Sequence, residues 1–218
     1  MSQNVGAIAP VVHFSQLGLC WQSYTDFQSI PVSIRNQQSR RLADLTGRGF
    51  MRVTVDPQLV ADVEKHVSEA SRLSILTDKN DNPVAYVCSD VDIWNQKSVY
   101  NLGGIIVEPT FQNQHLGFSI IRMELDQCKP DILILRTQNM SMYKLANKFA
   151  KLSNQLAAEM AVKYYPKNLD GVINHSVYRQ GQSLYEDSIR FASQAIPFIN
   201  WEAGDALVVA GFVNNEIQ

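Results

Sequence analysis

The stretch GGIIVEPTFQNQHLGFSII, from Gly103 to Ile121, decides the fold, because within it an apolar strand passes into the first turns of a helix. The apolar run ends at Pro109, and small or uncharged polar residues fill the turn from Gln112 to Ser119. The first backbone N–H groups of a helix have no partner inside the helix, and the peptide dipoles add partial positive charge there. An exposed turn at this place therefore favours the binding of an anion such as a phosphate.

The residues on either side of this turn predict a strand, a crossover helix and a second strand. Val99 to Val107 is a β-prone run, and Gly117 to Cys128 carries its apolar residues on one helical stripe. The sequence KPD ends the helix before the wholly apolar strand Ile132 to Leu135. This order predicts a βαβ unit with a parallel strand pair.

The chain before this unit predicts a helix and a hairpin. Asp56-Pro57 is a helix start, and the apolar spacing that follows predicts an amphipathic helix over Gln58 to Ser71. Leu73 to Thr77 and Val84 to Val91 are β-prone runs separated by the turn-rich hexapeptide DKNDNP, which predicts an antiparallel hairpin.

The chain after the unit predicts one long helix that begins shortly after Asn139, because apolar residues recur every three or four positions as far as Met160. Ala206 to Val213 predicts a late strand. The predicted fold class is α/β (α+β), with a mixed central β-sheet flanked by helices. We expect a single domain over residues 1–218.

Composition and charge bound the function. The chain has 218 residues, of which 45% are hydrophobic, and a formal net charge of -2, so it is long enough to bury a substantial core. A balance so close to neutral gives no electrostatic case for binding nucleic acid or a membrane. The first 34 residues contain no Lys or Arg and no long apolar run, which predicts a cytoplasmic protein.

The sequence indicates no metal. The three cysteines are far apart and show neither CxxC nor Cys/His spacing, which argues against a disulfide framework and a structural zinc site. The four histidines are equally scattered and form no HExxH pattern.

Residues 35–52 contain five arginines around one aspartate, and this cluster has two interpretations. It is either a solvated helix face and loop, or a local contact for a phosphate or an acidic partner. The arginines are Arg35, Arg40, Arg41, Arg48 and Arg52.

The turn matches neither of the two common phosphate-binding patterns. A Walker loop requires GxxxxGK followed by Ser or Thr, and a Rossmann fingerprint requires GxGxxG opening the helix. The turn instead resembles the cofactor motif of the GNAT-type N-acyltransferases, in which V-x-P ends a strand and Q/R-x-x-G-x-G/A precedes a helix. Val107-Glu108-Pro109 matches the strand end, Gln112 matches the Gln or Arg, and Gly117 matches the second glycine. His115 stands at the place of the first glycine.

A second resemblance lies one strand later. In the family an Asn after the next strand opens a helix beside the pantetheine and phosphate arm of coenzyme A, and LRTQN from Leu135 to Asn139 looks like that element. The order of elements also fits across roughly Arg52 to Asn154, about half of the chain. Residues 1–51 and 155–218 diverge from the family. The resemblance implies a sheet whose parallel strand pair splays apart.

The resemblance implies that acetyl-CoA, or another acyl-CoA, lies in the cleft of that splayed pair. The first strand would bond the pantetheine, and the turn would hold the diphosphate. The residues implied in acyl-CoA binding are Ile105, Ile106, Val107, Gln112, Asn113, Gln114, His115, Leu116, Gly117, Phe118, Ser119, Asn139 and Tyr143.

The chemistry implied is direct attack of an amine on the thioester carbonyl. A strand N–H near Ile106 or Val107 would stabilise the oxyanion, and Glu108 is the acid nearest to the motif for the role of general base. Glu108 is otherwise a solvated residue at a strand end. Family members commonly protonate the thiolate with a Tyr about two turns after the Asn. Here Tyr143 lies one turn after it, and would act as that acid, contact the cofactor or simply pack.

The expected function is therefore acyl-CoA-dependent N-acyl transfer to an amine of a small molecule or peptide. A GNAT-like module that binds acyl-CoA or a partner protein without catalysis is the alternative, and a turn that binds another phosphate compound is a third. The acceptor is not identified by the sequence, although Glu202 and Asp205 would either attract a cationic amine or solubilise a turn. The sequence leaves a homodimer open.

Overall fold

The computed structural model describes residues 14–52, 57–112, 114–178, 185 and 191–214. In these residues nine strands form one sheet with the order β1-β2-β3-β4-β5-β9-β8-β7, and β6 pairs with β9. The strands are β1 (Cys20–Tyr24), β2 (Arg72–Thr77), β3 (Pro83–Trp94), β4 (Lys97–Val107), β5 (Ile132–Thr137), β6 (Ala150–Leu152), β7 (Leu169–Asp170), β8 (Ile173–Asn174) and β9 (Ala206–Val213). The α-helices are α1 (Val32–Gly49), α2 (Pro57–Glu69), α3 (Leu116–Cys128), α4 (Met140–Phe149) and α5 (Asn154–Tyr164).

The predicted hairpin is confirmed. Strands β2 and β3 pair antiparallel, and the Asp78 carboxylate closes their turn by accepting hydrogen bonds from the backbone N–H groups of Asn80 and Asn82 at 2.8 and 2.9 Å. The helix predicted before the hairpin is also present as α2, with Pro57 at its first position. Asp56, the predicted cap, lies outside the described residues.

The predicted βαβ unit is confirmed as β4, α3 and β5. It supplies the parallel pair β4–β5, and the other strand pairs of the described sheet are antiparallel. The late strand lies where the sequence predicts it, from Ala206 to Val213, and pairs with β5. The sheet is thus mixed, as expected for this fold class.

The prediction of one long helix after Asn139 is wrong. The chain forms α4, leaves the helix for β6, and begins α5 after Ser153, whose hydroxyl accepts a hydrogen bond from the Leu156 N–H at 3.2 Å. Strand β6 pairs with Gly211 to Val213. Helices α4 and α5 each bury one face, so apolar residues recur every three or four positions on both sides of β6. The interruption between the two helices is visible only from the pairing of β6 with β9.

Helices cover both faces of the sheet. The largest core cluster, which includes Tyr100, Leu133 and Leu135, packs against α3 and α4. The opposite face carries two clusters: α1 and α2 cover one around Ile75, and α5 covers one around Ile134. The face opposite α3 therefore has a boundary between two helical layers, and this boundary lies along β4 and β5. None of the described helices is long and apolar enough to cross a membrane.

A buried ion pair joins α3 to the antiparallel part of the sheet. Arg72 Nε lies 3.2 Å from Glu124 Oε2, and the Glu124 side chain is only 1% exposed. Ser74 Oγ donates a second hydrogen bond to the same carboxylate. The carboxylate is thus satisfied by partners on β2, which fixes how α3 lies on the sheet.

Replacing Glu124 by Ala should lower the free energy of unfolding by about 3 kcal/mol, because it leaves the Arg72 guanidinium buried without its anion. Asp126→Ala is the matched control on the same helix: Asp126 pairs with Arg122 at the surface, so its loss should cost less than about 0.5 kcal/mol. Urea unfolding of both variants measures the difference. Equal losses would contradict a special role for the buried pair.

Candidate acyl-CoA site

The parallel pair separates partway along its length. Strands β4 and β5 pair from Val99–Ile132 to Leu102–Leu135, although β4 continues to Val107 and β5 to Thr137. A gap therefore opens beyond Leu102 and Leu135. This is the splayed pair that the resemblance implies.

Backbone groups of β4 point into this gap. The Glu108 N–H donates to the Val84 carbonyl at 2.8 Å, so it faces β3. Because N–H direction alternates along a strand, the N–H groups of Ile105 and Val107 face the gap, whereas that of Ile106 faces β3. Of the two strand amides expected to meet an oxyanion, Val107 has the orientation required.

The side-chain amides of the turn form hydrogen bonds with backbone carbonyls of the same turn. Gln112 Nε2 donates to the Val107 carbonyl at 3.1 Å, and Gln114 Nε2 donates to the Thr110 carbonyl at 3.2 Å. Asn113 lies outside the described residues. The side chains of Gln112 and Gln114 thus shape the turn, and backbone donors are left to hold an anion.

The helix that follows the turn presents such donors. The first bond inside α3 runs from the Ser119 N–H to the His115 carbonyl at 3.0 Å, and the His115 side chain makes no capping hydrogen bond. The N–H groups of Leu116, Gly117 and Phe118 therefore precede the helical ladder. A Cβ added to Gly117 would make ordinary van der Waals contacts at 3.9 Å with the side chains of Ile105 and Leu145, so the position tolerates a small side chain.

His115 has a left-handed backbone conformation. Its φ of 58° and ψ of 14° lie in the region that favours glycine, and the residue is exposed at the N-cap of α3. A glycine would adopt this conformation readily, although the residue here is His. The imidazole is exposed to solvent beside the first turn of α3.

The other side chains predicted at this helix end belong to the core. Leu116 and Ser119 are 1% and 7% exposed, and the Phe118 ring stacks on Phe149 with centroids 4.8 Å apart. Their packing holds the first turn of α3 in place. Only the backbone of these residues is presented to a ligand.

Asn139 caps α4. Its Oδ1 accepts a hydrogen bond from the Ser141 N–H at 2.8 Å, and its Nδ2 donates to the Tyr185 hydroxyl at 3.5 Å. Tyr185 also stands edge-on to Phe50, the C-cap residue of α1, at 5.3 Å. Burial raises the pKa of Tyr185 to about 12. Tyr185 thus links the end of β5 to the end of α1. No local sequence pattern predicts its contacts with Asn139 and Phe50.

The two predicted catalytic side chains have structural contacts. Glu108 Oε2 pairs with Arg48 Nε at 2.6 Å, which ties the end of β4 to α1. Tyr143 is half-buried and packs against the large core cluster. Their catalytic roles stay predictions.

Other members of the arginine cluster also bind within the chain. Arg40 pairs with Glu64 and Arg41 with Asp81, each at 2.8 Å. With Arg48, three of the five guanidinium groups therefore hold α1 against its neighbours. These contacts give no support to a separate anion site.

A glycine pair and a histidine, which sequence reasoning missed, mark the point where the strands part. The register of β3 and β4 shifts between Cys88 and Ser89, so β4 has a bulge at Gly103 and Gly104. A Cβ at either glycine would lie 3.2 or 3.6 Å from His66 Nε2. The absence of two side chains thus makes room for the His66 ring. Two adjacent glycines inside a strand were the available signal.

His66 is a titratable group beside the bulge of β4. The residue is exposed, and its Nε2 lies 2.9 Å from the Gly103 carbonyl. The charge of the Cys88 sulfur and its hydrogen bond raise the pKa of His66 to about 9, against an opposing contribution from burial. His66 is consequently protonated at neutral pH.

Comparison with known proteins shows which solved structures share this fold. No protein-family model and no curated protein sequence matches the chain. Among solved structures, a candidate phosphinothricin N-acetyltransferase has a TM-score of 0.51 and 9% identity over 90% of this chain and 99% of its own. A GNAT-family acetyltransferase structure from Desulfovibrio desulfuricans has a TM-score of 0.47 and 13% identity over 89% and 98%.

A third structure is the glucosamine N-acetyltransferase region of a fungal multi-domain β-N-acetylglucosaminidase, with a TM-score of 0.42 and 11% identity over 54% of this chain. This chain spans 13% of the length of that fungal protein. The chain has the fold of the GNAT-type acetyltransferases.

Replacing Cys88 by Ser should return the pKa of His66 from about 9 towards its ordinary value of 6.5. Since the raised pKa belongs to the folded state, the stability that the pair contributes is present below pH 6.5 and lost as pH rises through about 9. NMR titration of the His66 ring measures the pKa directly. Urea unfolding across this pH range should show a weaker loss of stability in the variant.

Cys128→Ser is the control, because Cys128 lies on α3, on the other side of the sheet. It should leave the titration of His66 unchanged. A His66 titration that is the same in Cys88→Ser as in the natural chain would show that the thiol has no part in the raised pKa.

Proposed function

We propose that the protein is an acyl-CoA-dependent N-acyltransferase that transfers an acetyl group from acetyl-CoA to an amine of a small molecule or peptide. The observation that carries the proposal is that two sets of backbone N–H groups lie together in one βαβ unit. One set is on the gap edge of β4, at Ile105 and Val107, and the other is in the first turn of α3, before its helical ladder. The likeness of the fold to GNAT-type acetyltransferases supports it.

The first turn of α3 holds the diphosphate of coenzyme A. The N–H groups of Leu116, Gly117 and Phe118 point out of the helix end, where the helix dipole adds positive potential. No lysine is needed, because backbone donors and the dipole together bind the anion. The lack of a side chain at Gly117 lets the diphosphate approach the main chain.

The gap edge of β4 holds the pantetheine arm and orients the thioester. An extended chain with amide groups adds to a free strand edge by main-chain hydrogen bonds. The Val107 N–H faces the gap and is the donor for the oxyanion that forms when the amine attacks the carbonyl. Asn139 lies on the other side of the gap, just after β5, where its side chain caps α4.

His66 supplies the proton that the reaction consumes. As the amine forms a bond to the carbonyl carbon, the C–S bond breaks, and the thiolate that leaves takes up a proton. With a pKa of about 9, His66 is a proton donor at neutral pH, and its ring lies at the strand residues where the gap begins. The excess proton of the amine passes to solvent.

Gly117→Asp tests the diphosphate site by charge alone. A carboxylate at the second position of α3 is favourable to the helix dipole, so the variant should fold at least as well as the natural chain. It should weaken acetyl-CoA binding by at least about tenfold, because it places a negative charge in the anion site. Isothermal titration with acetyl-CoA measures the affinity.

Gly117→Ala is the matched control, since it adds the same Cβ without the charge. It should bind acetyl-CoA within a few-fold of the natural chain, because the added Cβ would make only ordinary van der Waals contacts with Ile105 and Leu145 at 3.9 Å. No binding to the natural, folded chain at high micromolar acetyl-CoA would remove the basis of the proposal. Binding without coenzyme A release in a broad amine screen would leave the alternative, a non-catalytic acyl-CoA-binding module.

His66→Gln should lower kcat by about 100-fold, the scale of one general acid, with little change in the KM for acetyl-CoA. In the natural chain kcat should fall as pH rises through about 9, because His66 must be protonated to act. Cys88→Ser should keep activity at low pH and move this fall to lower pH. An unchanged pH profile in His66→Gln would exclude His66 as the acid.

A further inference from the structure

A cavity of about 380 Å³ lies on the sheet face opposite α3, beyond the end of the parallel ladder. It is lined by Arg136 on β5, by residues 164–168, and by Asn174, Ser176 and Val177. Its volume falls within the range of small-molecule sites. The C-terminal third of the chain, which has no resemblance to the family in sequence, therefore builds a concave surface next to the candidate site.

Arg136 connects this cavity to the strand gap. It follows Leu135, the last β5 residue paired with β4, and it faces the same side as Ile134 because side chains alternate along a strand. On that side Tyr165, which stacks on Arg136, donates a hydrogen bond to Asn101 of β4 at 2.7 Å. The helix that carries His66 packs on the same sheet face, opposite α3. The cavity and His66 thus lie on the same face of the separating strands.

The Arg136 guanidinium is held rigidly. It lies 4.9 Å from the ring centroid of Tyr165 and 5.0 Å from that of Tyr178, in cation–π contact with both. Its Nη1 donates to Asn174 Oδ1 at 2.9 Å, and Asn174 Nδ2 in turn donates to the Lys167 carbonyl. The guanidinium therefore has one orientation before any ligand arrives.

This guanidinium has no anion to match its charge. Among the described residues it forms no ion pair, its single side-chain hydrogen bond is the one to Asn174, and its Nε is buried without a partner. Withdrawing a cation from water is costly unless an anion or several hydrogen bonds compensate it. A rigid, half-buried guanidinium with one side-chain hydrogen bond and no ion pair among the described residues is an arrangement that a bound anion completes.

The charges of the other residues that line the cavity also favour an anion. Lys167 supplies a second, exposed cation, and no described lining residue is a carboxylate. Asp205, which the sequence offered as an attraction for a cationic amine, is instead 8% exposed and paired with His175 Nδ1 at 2.9 Å. It also accepts a hydrogen bond from the Ser176 N–H. The Asp205 carboxylate is thus paired with groups of the protein itself.

We infer that the cavity binds the carboxylate of the acceptor, so that the acceptor class is a small amine that carries a carboxylate, such as an amino acid. The planar fork of Arg136 matches a carboxylate in two parallel hydrogen bonds. The anchored anion fixes the acceptor on the His66 side of the gap, with its amine directed at the strand separation. This assignment of the acceptor rests on the proposed acyl transfer.

The test compares a panel of amino acids with their amides and with the amines that lack the carboxyl group, each at fixed acetyl-CoA. The natural chain should prefer the carboxylates in kcat/KM by about 10- to 100-fold, the range for one charge-assisted pair. The amide has the less basic and more readily deprotonated amine, so reactivity alone would favour it. O-phosphoethanolamine tests whether a phosphate serves equally; equal use would overturn the choice of a carboxylate.

Arg136→Gln should remove the preference by raising the KM of the carboxylate acceptors, with the KM of acetyl-CoA unchanged. Lys167→Gln is the matched control, an exposed cation of the same cavity, and should keep most of the preference. Arg136→Lys keeps the charge but not the fork, and should bind carboxylates about tenfold more weakly than the natural chain. If Arg136→Gln does not fold, this variant decides the matter by the same comparison.

Isothermal titration of the amino acids and amides in the absence of acetyl-CoA separates the two proposals. If the chain binds carboxylates through Arg136 but does not bind acetyl-CoA, the proposed acyl transfer is contradicted. The proposed anion site at Arg136 would still be supported. Acetyl transfer with no preference for carboxylates, or a preference that survives Arg136→Lys and Arg136→Gln, would overturn the assignment of the cavity.

Discussion

Strands β4 and β5 share a parallel ladder only from Val99 to Leu102, and the gap beyond it leaves backbone groups of β4 without a neighbouring strand. A buried or half-buried N–H group without a partner is unfavourable, so natural folds satisfy such groups with a ligand, a side chain or water. Gln112 meets this need for one carbonyl, that of Val107. The remaining donors define where an extended, amide-containing molecule would add to the sheet.

The bulge in β4 and the end of α3 give the two faces of this gap different chemistry. On one face the first turn of α3 offers backbone N–H groups and positive potential to an anion. On the other, two glycines admit the His66 ring, and its interaction with Cys88 raises the pKa of His66 to about 9. Cofactor binding and proton transfer are thus separated by the sheet itself, and the gap is the passage between them.

The segment that diverges most from the family contributes the features particular to this chain. Tyr165 and Tyr178 enclose Arg136, and Tyr185 meets Asn139 and Phe50 across the end of the gap. These contacts join residues that lie 29 to 135 positions apart in the chain. A shared fold therefore carries a cavity whose charge is set by segments outside the shared core.

The sequence by itself determined the hairpin, the βαβ unit, the late strand and the polar turn at Gln112, because apolar periodicity and turn residues act over a few positions. It also predicted that a helix begins shortly after Asn139. Only the tertiary structure decided that the long apolar period contains β6, that His66 reaches Gly103, and that Arg136 forms no ion pair among the described residues. The physical reason is range: pairing, burial and charge balance depend on residues brought together from distant parts of the chain, and no local pattern records them.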